Sequence, residues 1–399
     1  MTAATLHIGD VFDVMATMPD GTIDLVLTSP PFLALRSYLP ADHPDKGKEI
    51  GSEPTPAAFL DTMLALTAEW GRLLTPTGSI AIELGDTYAG SGGAGGDYTA
   101  GGLKEGQNAF VGSSSLNRTM NKNARVQSDD HSRSIRDLHG KVQGGGAGWP
   151  LDKSLAMIPQ LYAASLAYGR NLLTGEDSPA GRWRVRNYIC WARPNPPVGA
   201  LGDKWRPATS YVTVATRSRT RYFDLDAVRS GSQSAPGGST GRRKTPGEDR
   251  PSYANTGSHP AGAPPLDWVD DREATWEPLI GMPTAPYPGA HYATFPSELP
   301  RRLIECMAPA EVCTTCSEPR RRIAERETLG WTDCGCGTGW RPGVVLDPFA
   351  GSGTTLAVAH GHARTAIGID LNDDNEHLIR DRVGGLFLTV VNHKTGAAA

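Results

Sequence analysis

Along the first ninety residues, apolar and polar positions alternate in short blocks. Thr5–Asp10 (TLHIGD) reads as a strand ending in Gly-Asp, and VFDVMATMPDG as a helix stopped at Pro19. TIDLVLTS is a second strand. Phe59, Met63, Leu66, Trp70 and Leu73 then recur at helical spacing within Pro56–Leu74, and GSIAIELGD (Gly78–Asp86) is a third strand. Strands separated by helices predict a mostly parallel, doubly wound α/β sheet with both faces covered.

The pattern dissolves between Gly90 and Gly148 into Gly, Ser, Asn and charge, too little apolar surface to order itself, so a mobile insertion is expected. Regularity resumes with an apolar helix over Leu155–Tyr168 and strands over Arg184–Ala192 and Ser210–Ser218. Ser230–Pro265 is again loop-like. The carboxyl-terminal stretch GVVLDPFAGSGTTLAVAHGHARTAIGIDLN returns to strand, turn, helix and strand.

Composition sharpens this only locally. The 399 residues are 39% hydrophobic, enough for a substantial core, while 47 Gly and 31 Pro predict long loops. A formal charge of −4 gives no global nucleic-acid signal. Arg182–Arg221, however, holds eight Arg and one Lys against the single acid Asp203, a pattern that suits either a solvated face or a phosphate-tracking surface. No basic start with a long apolar stretch marks a signal peptide, and no run approaches a spanning helix, so a cytoplasmic protein without membrane contact is expected.

Two stretches carry chemistry. In VVLDPFAGSGTT, an apolar strand meets a glycine-rich turn and a helix start. Gly351 and Gly353 let the backbone turn sharply and admit a ligand close to free N–H groups. Asp370 ends the next strand, 19 residues after Gly351, where a doubly wound fold places an acid that accepts ribose hydroxyls. A phosphate-binding loop would need Lys where Thr354 stands, and a dinucleotide site a third glycine where Leu356 stands. A nucleoside cofactor without a pyrophosphate fits best.

The second stretch is LVLTSPPF. Pro30 and Pro31 cannot donate to a sheet, so the strand must stop there. Ser29 and the Pro30 carbonyl are then acceptors suited to an exocyclic amine, and Phe32 offers a flat face whose stacking is worth roughly 1–3 kcal/mol. A nucleobase amino group is the best-matched guest.

TSPPF (Thr28–Phe32) and DPFAGSGTT (Asp347–Thr355) together resemble the beta-class, permuted DNA amino-methyltransferases that use S-adenosylmethionine. IELGDTYAGSGG, KSLAMIP, CWARPNPP, TRYFDLDA and PYPGAHYATFP extend the resemblance in the family's order along most of the chain. It implies a circularly permuted Rossmann-like fold. Ser29, Pro30, Pro31 and Phe32 would hold the target base. Thr28, Asp347, Phe349, Ala350, Gly351, Gly353 and Thr354 would line the cofactor. Asp370 would hold its ribose and Asp10 approach its adenine amine, although Asp10 also suits a helix cap. His291, Ala293, Thr294 and Phe295 would close over its amino-acid end. The resemblance implies flipping of the target out of double-stranded DNA, and Ser29 preceded by Leu-Thr looks like the cytosine-N4 enzymes; adenine N6 is the alternative. A zinc-ribbon DNA-binding protein without activity, or methylation of RNA or protein glutamine, competes. A homodimer is left open, and a restriction endonuclease partner is not inferable.

Cys313-x2-Cys316 and Cys334-x-Cys336, with 17 residues between the pairs, suit a structural four-thiolate zinc site in a small ribbon, with unliganded thiols or a disulfide pair as the alternatives. Arg320–Arg326 between them fits a DNA-backbone contact or a solvated hairpin equally. The expected organisation is 1–89, first catalytic half; 90–149, insertion; 150–229, rest of that half; 230–288, target recognition; 289–309, cofactor closure; 310–340, ribbon; 341–399, cofactor half.

Overall fold

All six side chains of strand β2 (Ile23–Thr28) are buried, as befits a strand covered on both faces, and the architecture is arranged around it. The computed structural model describes residues 3–35, 38–39, 42–89, 148–151, 153–192, 205, 207–229, 268–269, 296–324, 328–394 and 397–398. In chain order these form β1 (Ala4–Ile8), α1 (Val11–Ala16), β2, α2 (Pro56–Leu73), β3 (Leu74–Leu84), α3 (Ile158–Tyr168), β4 (Arg184–Ala192), β5 (Thr209–Thr216) and β6 (Trp268–Val269). Then follow α4 (Glu298–Met307), β7 (Val312–Cys313), β8 (Arg322–Ala324), β9 (Thr328–Trp331), β10 (Trp340–Arg341), β11 (Val344–Asp347), α5 (Thr354–Gly361), β12 (Thr365–Asp370), α6 (Glu376–Val383), β13 (Leu388–Asn392) and β14 (Ala397–Ala398).

Ten strands make one sheet in the order β14-β13-β1-β12-β11-β2-β3-β5-β4-β6. From β13 to β3 every neighbouring pair is parallel, and β5 runs antiparallel to both β3 and β4. The expected fold class is therefore the observed one. Alternate strand residues feed two cores. Val26 and Leu346 pack with α1, α2 and α3 on one face, whereas Leu25, Leu27 and Val345 pack with α4, α5 and α6 on the other. Each face is thus roofed by helices from one half of the chain.

The predicted elements hold with shifted ends. Asp86, just past β3, fixes the start of α3: its carboxylate accepts from the backbone N–H groups of Met157 at 3.0 Å and Ile158 at 3.2 Å. The helix therefore begins at Ile158 rather than Leu155, for a reason that lies 71 residues upstream and outside its own periodicity. Beside it the chain closes on itself, with Ala89 N–H donating to Ser154 O at 2.8 Å and Lys153 N–H to Ala89 O at 2.9 Å. The expected insertion over Gly90–Gly148 and the loop over Ser230–Pro265 lie almost wholly outside the described residues. No helix among those described is long and apolar enough to cross a membrane.

Asp86→Ala should leave these amides without their acceptor and cost about 1–2 kcal/mol. The urea midpoint should fall while the slope of the transition stays the same.

Candidate active site

The carboxyl ends of β1, β12, β11, β2 and β3 form one edge, where a doubly wound sheet binds ligands. Its centre joins the two motifs. β2 and β11 run parallel, with Leu25 beside Val345 and Val26 beside Leu346. Just past the last registered pair, Thr28 Oγ1 donates to Asp347 Oδ1 at 2.6 Å, a buried bond between residues 319 apart in sequence. Phe349 N–H donates to the same oxygen at 3.1 Å. Burial pushes the Asp347 carboxyl above the usual range, and these donors pull it back.

Past Asp347 the chain turns through Gly351 and Gly353, whose φ values of 52° and 77° lie in the left-handed region that glycine tolerates. Gly351 N–H donates to Asp370 Oδ2 at 2.7 Å, so the glycine turn and the acid of the next strand are one unit. Asp370 Oδ1 takes the Asn372 N–H at 2.9 Å and the Asn375 amide at 3.1 Å. Even so, burial pushes its carboxyl up to about 6. Three donors leave a carboxylate with one acceptor position, which suits a ribose hydroxyl.

Asp10 is adjacent, since Gly9 N–H donates to Asp370 O at 2.9 Å. Its Oδ1 caps α1, accepting from Phe12 and Asp13 N–H at 3.0 and 3.1 Å. Ala350 is buried, Phe349 is half-buried, and Thr354 is buried with its hydroxyl accepting from Arg382. The hydroxyl of Thr354 is thus committed to the contact between α5 and α6. His291, Ala293, Thr294 and Phe295 lie outside the described residues.

On the other side of the edge, Ser29 is half-buried and its Oγ donates to Glu83 Oε2. Sequence reasoning did not single out Glu83. The available signal was an acid inside the apolar strand IAIEL, where burial demands a partner. Pro30 is buried, and Pro31 and Phe32 are half-buried. Phe32 lies across Gly85, where a Cβ would sit 2.6 Å from the ring. The bare backbone of Gly85 therefore sets the plane of the aromatic face.

The basic run is partly structural. Arg184 donates to Arg217 O, Arg217 reaches Gly71 O at 3.3 Å, and Arg221 lies 4.2 Å over the Phe223 ring. In the cysteine ribbon, β7 pairs with β10 and β8 with β9, and the sulfurs of Cys313, Cys316, Cys334 and Cys336 all lie within 4.8 Å of one another. The arginines between the cysteine pairs face the protein rather than solvent alone. Arg320 pairs with Glu311 at 2.7 Å and lies over Trp340, while Arg322 pairs with Asp224 at 2.8 Å and lies over Trp331. Arg326 is outside the described residues.

The model of the N6/N4 DNA methylase family matches residues 23–381, a span that takes in both the TSPPF and the DPFAGSGTT stretches. The chain belongs to that family. Among relatives of this DNA methylase, the type II methyltransferase M.Cfr9I of Citrobacter freundii is 25% identical over 386 residues, covering 96% of this chain and 89% of the relative. M.XycI of Xanthomonas campestris pv. cyanopsidis is 24% identical over the same shares. The solved PvuII DNA methyltransferase, described as cytosine-N4-specific, overlays with a TM-score of 0.49 at 13% identity, covering 96% of this chain and 86% of that one.

Gly85→Ala should push the Phe32 ring off its seat. Methyl transfer to DNA should fall about 100-fold, the scale of a misplacement near 1 Å. Binding of the nucleoside cofactor, followed by calorimetry, should not change.

Proposed function

We propose that the chain transfers a methyl group from S-adenosylmethionine to the exocyclic N4 of a cytosine flipped out of double-stranded DNA. The observation that carries this is the pairing of β2 with β11, which sets Ser29 one residue beyond the Thr28–Asp347 bond. Base acceptors and cofactor loop thereby share one edge.

Bound S-adenosylmethionine supplies an electrophilic methyl group; the chain supplies position and charge. Asp370 offers its remaining acceptor position to the ribose, and the glycine turn brings backbone close to the ligand. Asp10 completes the cofactor side, and Phe349 and Ala350 flank it. On the target side, the amine's lone pair is delocalised into the ring and attacks poorly. Ser29 Oγ, whose own proton is held by Glu83, turns its lone pairs to one amine hydrogen, and the Pro30 carbonyl takes the other. Two acceptors localise the amine's lone pair, and alignment for in-line displacement supplies much of the acceleration. Phe32 stacks on the base, whose extrusion costs a few kcal/mol. Ser29 after Leu-Thr favours cytosine; adenine offers the same amine geometry and is the second reading.

The ribbon, in this reading, holds a structural zinc ion. Cys313, Cys316, Cys334 and Cys336 would hold it as four thiolates, and their sulfurs already lie within 4.8 Å of one another. Thr315 N–H already points at Cys313 Sγ at 3.4 Å, as a backbone donor does to a metal-bound thiolate.

Ser29→Ala should lower methyl transfer about 100- to 1,000-fold with cofactor affinity intact. Nucleoside mass spectrometry of methylated DNA should find N4-methylcytosine; N6-methyladenine would replace the base assignment, and unchanged turnover would remove Ser29 from the chemistry. The affinity for S-adenosylmethionine should weaken as pH falls through about 6, because a protonated Asp370 loses an acceptor. Binding near that pH should release protons, read from calorimetry in buffers of different ionisation enthalpy, and a flat profile would detach Asp370 from the ribose.

A further inference from the structure

The cysteine ribbon leaves the body of the protein at Pro309 and returns at Gly343, and these points touch. A Cβ on Gly343 would lie 2.2 Å from the Pro309 carbonyl oxygen. Inside the ribbon, Cys313 on β7 stands opposite Trp340 on β10, and Val312 opposite Arg341. The next strand after β10 is β11, the strand that delivers the cofactor loop.

At that junction sits Asp24, a buried acid on β2. Arg341 Nη1 donates to its Oδ2 at 2.8 Å, and Val344 N–H donates to the same oxygen at 2.9 Å. Thr75 Oγ1, on β3, donates to Oδ1 at 3.2 Å. One carboxylate therefore joins the ribbon to the entry ends of β2, β3 and β11, just as Thr28 and Asp347 join the exit ends of β2 and β11. A second attachment holds the far side of the ribbon, where Arg322 grips Asp224 and Arg321 donates to Arg221 O at 3.1 Å.

We propose that zinc in the four-cysteine site holds Arg341 on Asp24, so that the ribbon is a metal-dependent brace for β11 and its cofactor loop. This rests on the zinc reading above. Physically, β7 and β10 are two-residue strands, too short to keep their register alone. Metal bonds between Cys313 and the Cys334–Cys336 turn fix that register, because binding free energy in such modules is folding free energy. Arg341 follows Trp340 directly, so its guanidinium reaches Asp24 only while the pair is in register. Arg341 is a positioning residue.

Elemental analysis of purified, dialysed protein should find about one zinc per chain. Folded protein that carries no zinc and takes up neither zinc nor cobalt(II) would overturn the metal reading. Removing zinc with a chelator under reducing conditions should weaken S-adenosylmethionine binding about tenfold, with restoration on adding zinc back. Zinc-loaded Arg341→Ala should show the same weakening at unchanged metal content, and Arg341→Lys should recover most of the affinity. If the metal-free chain unfolds by circular dichroism, the Arg341 pair decides. Unchanged affinity in zinc-loaded Arg341→Ala, or in folded metal-free protein, would overturn the brace while leaving the metal and the methylase readings in place.

Discussion

A single buried hydrogen bond, from Thr28 Oγ1 to Asp347 Oδ1, closes the space between two motifs that lie 319 residues apart in the chain. It can form only because β2 and β11 are parallel neighbours, which makes both strands end at the same edge. Ser29 and Phe32 follow that bond within a few residues on one side, and Phe349 and Gly351 on the other. A slip in the register of β2 on β11 would carry Thr28 along the edge away from Asp347 and break the bond.

The same edge concentrates acids that folding alone would not favour. Asp347 and Glu83 are buried, and burial lifts the Asp347 and Asp370 carboxyls. For Asp370, a pKa raised in the folded state means that the protonated form suits the fold better. Its contribution to stability is therefore present below the ordinary carboxylate range and lost as pH rises through about 6. At neutral pH the ionised group is held at a cost in stability that its three hydrogen bonds partly offset. Such an arrangement is typical of a site selected for function rather than stability.

Most of the sheet was legible because its information is local. LVLTSPP announces a strand and its end, VVLDPFAGSGTT a strand, turn and helix, and the boundaries of β4 match the sequence expectation residue for residue. The long polar partnerships were not legible. Glu83 under Ser29, Asp86 at the start of α3 and Asp24 beneath Arg341 are each defined by a group from another part of the chain. Periodicity registers an acid in an apolar strand as an interruption and does not say which donor satisfies it. Asp10 is instructive in the opposite sense, since its capping of α1 was visible locally, and its place beside Asp370 comes only from the pairing of β1 with β12.

The order of the two halves along the chain carries little energetic meaning once this sheet is formed. The helices of the first half roof one face, and those of the second half roof the other. β2 and β11, one from each half, meet in the middle. Because the contact is strand to strand, either half could come first in sequence without altering what lies at the edge. What the order does constrain is where extra chain can enter. Ala89 and the stretch Lys153–Ser154, which flank the 90–147 segment in sequence, are held together by backbone hydrogen bonds just past the carboxyl end of β3. The ribbon enters instead at the opposite ends of the strands, between α4 and β11, with its own stem closed at Pro309 and Gly343. Both additions are closed at the base, so neither has to disturb the parallel register on which the Thr28–Asp347 bond depends.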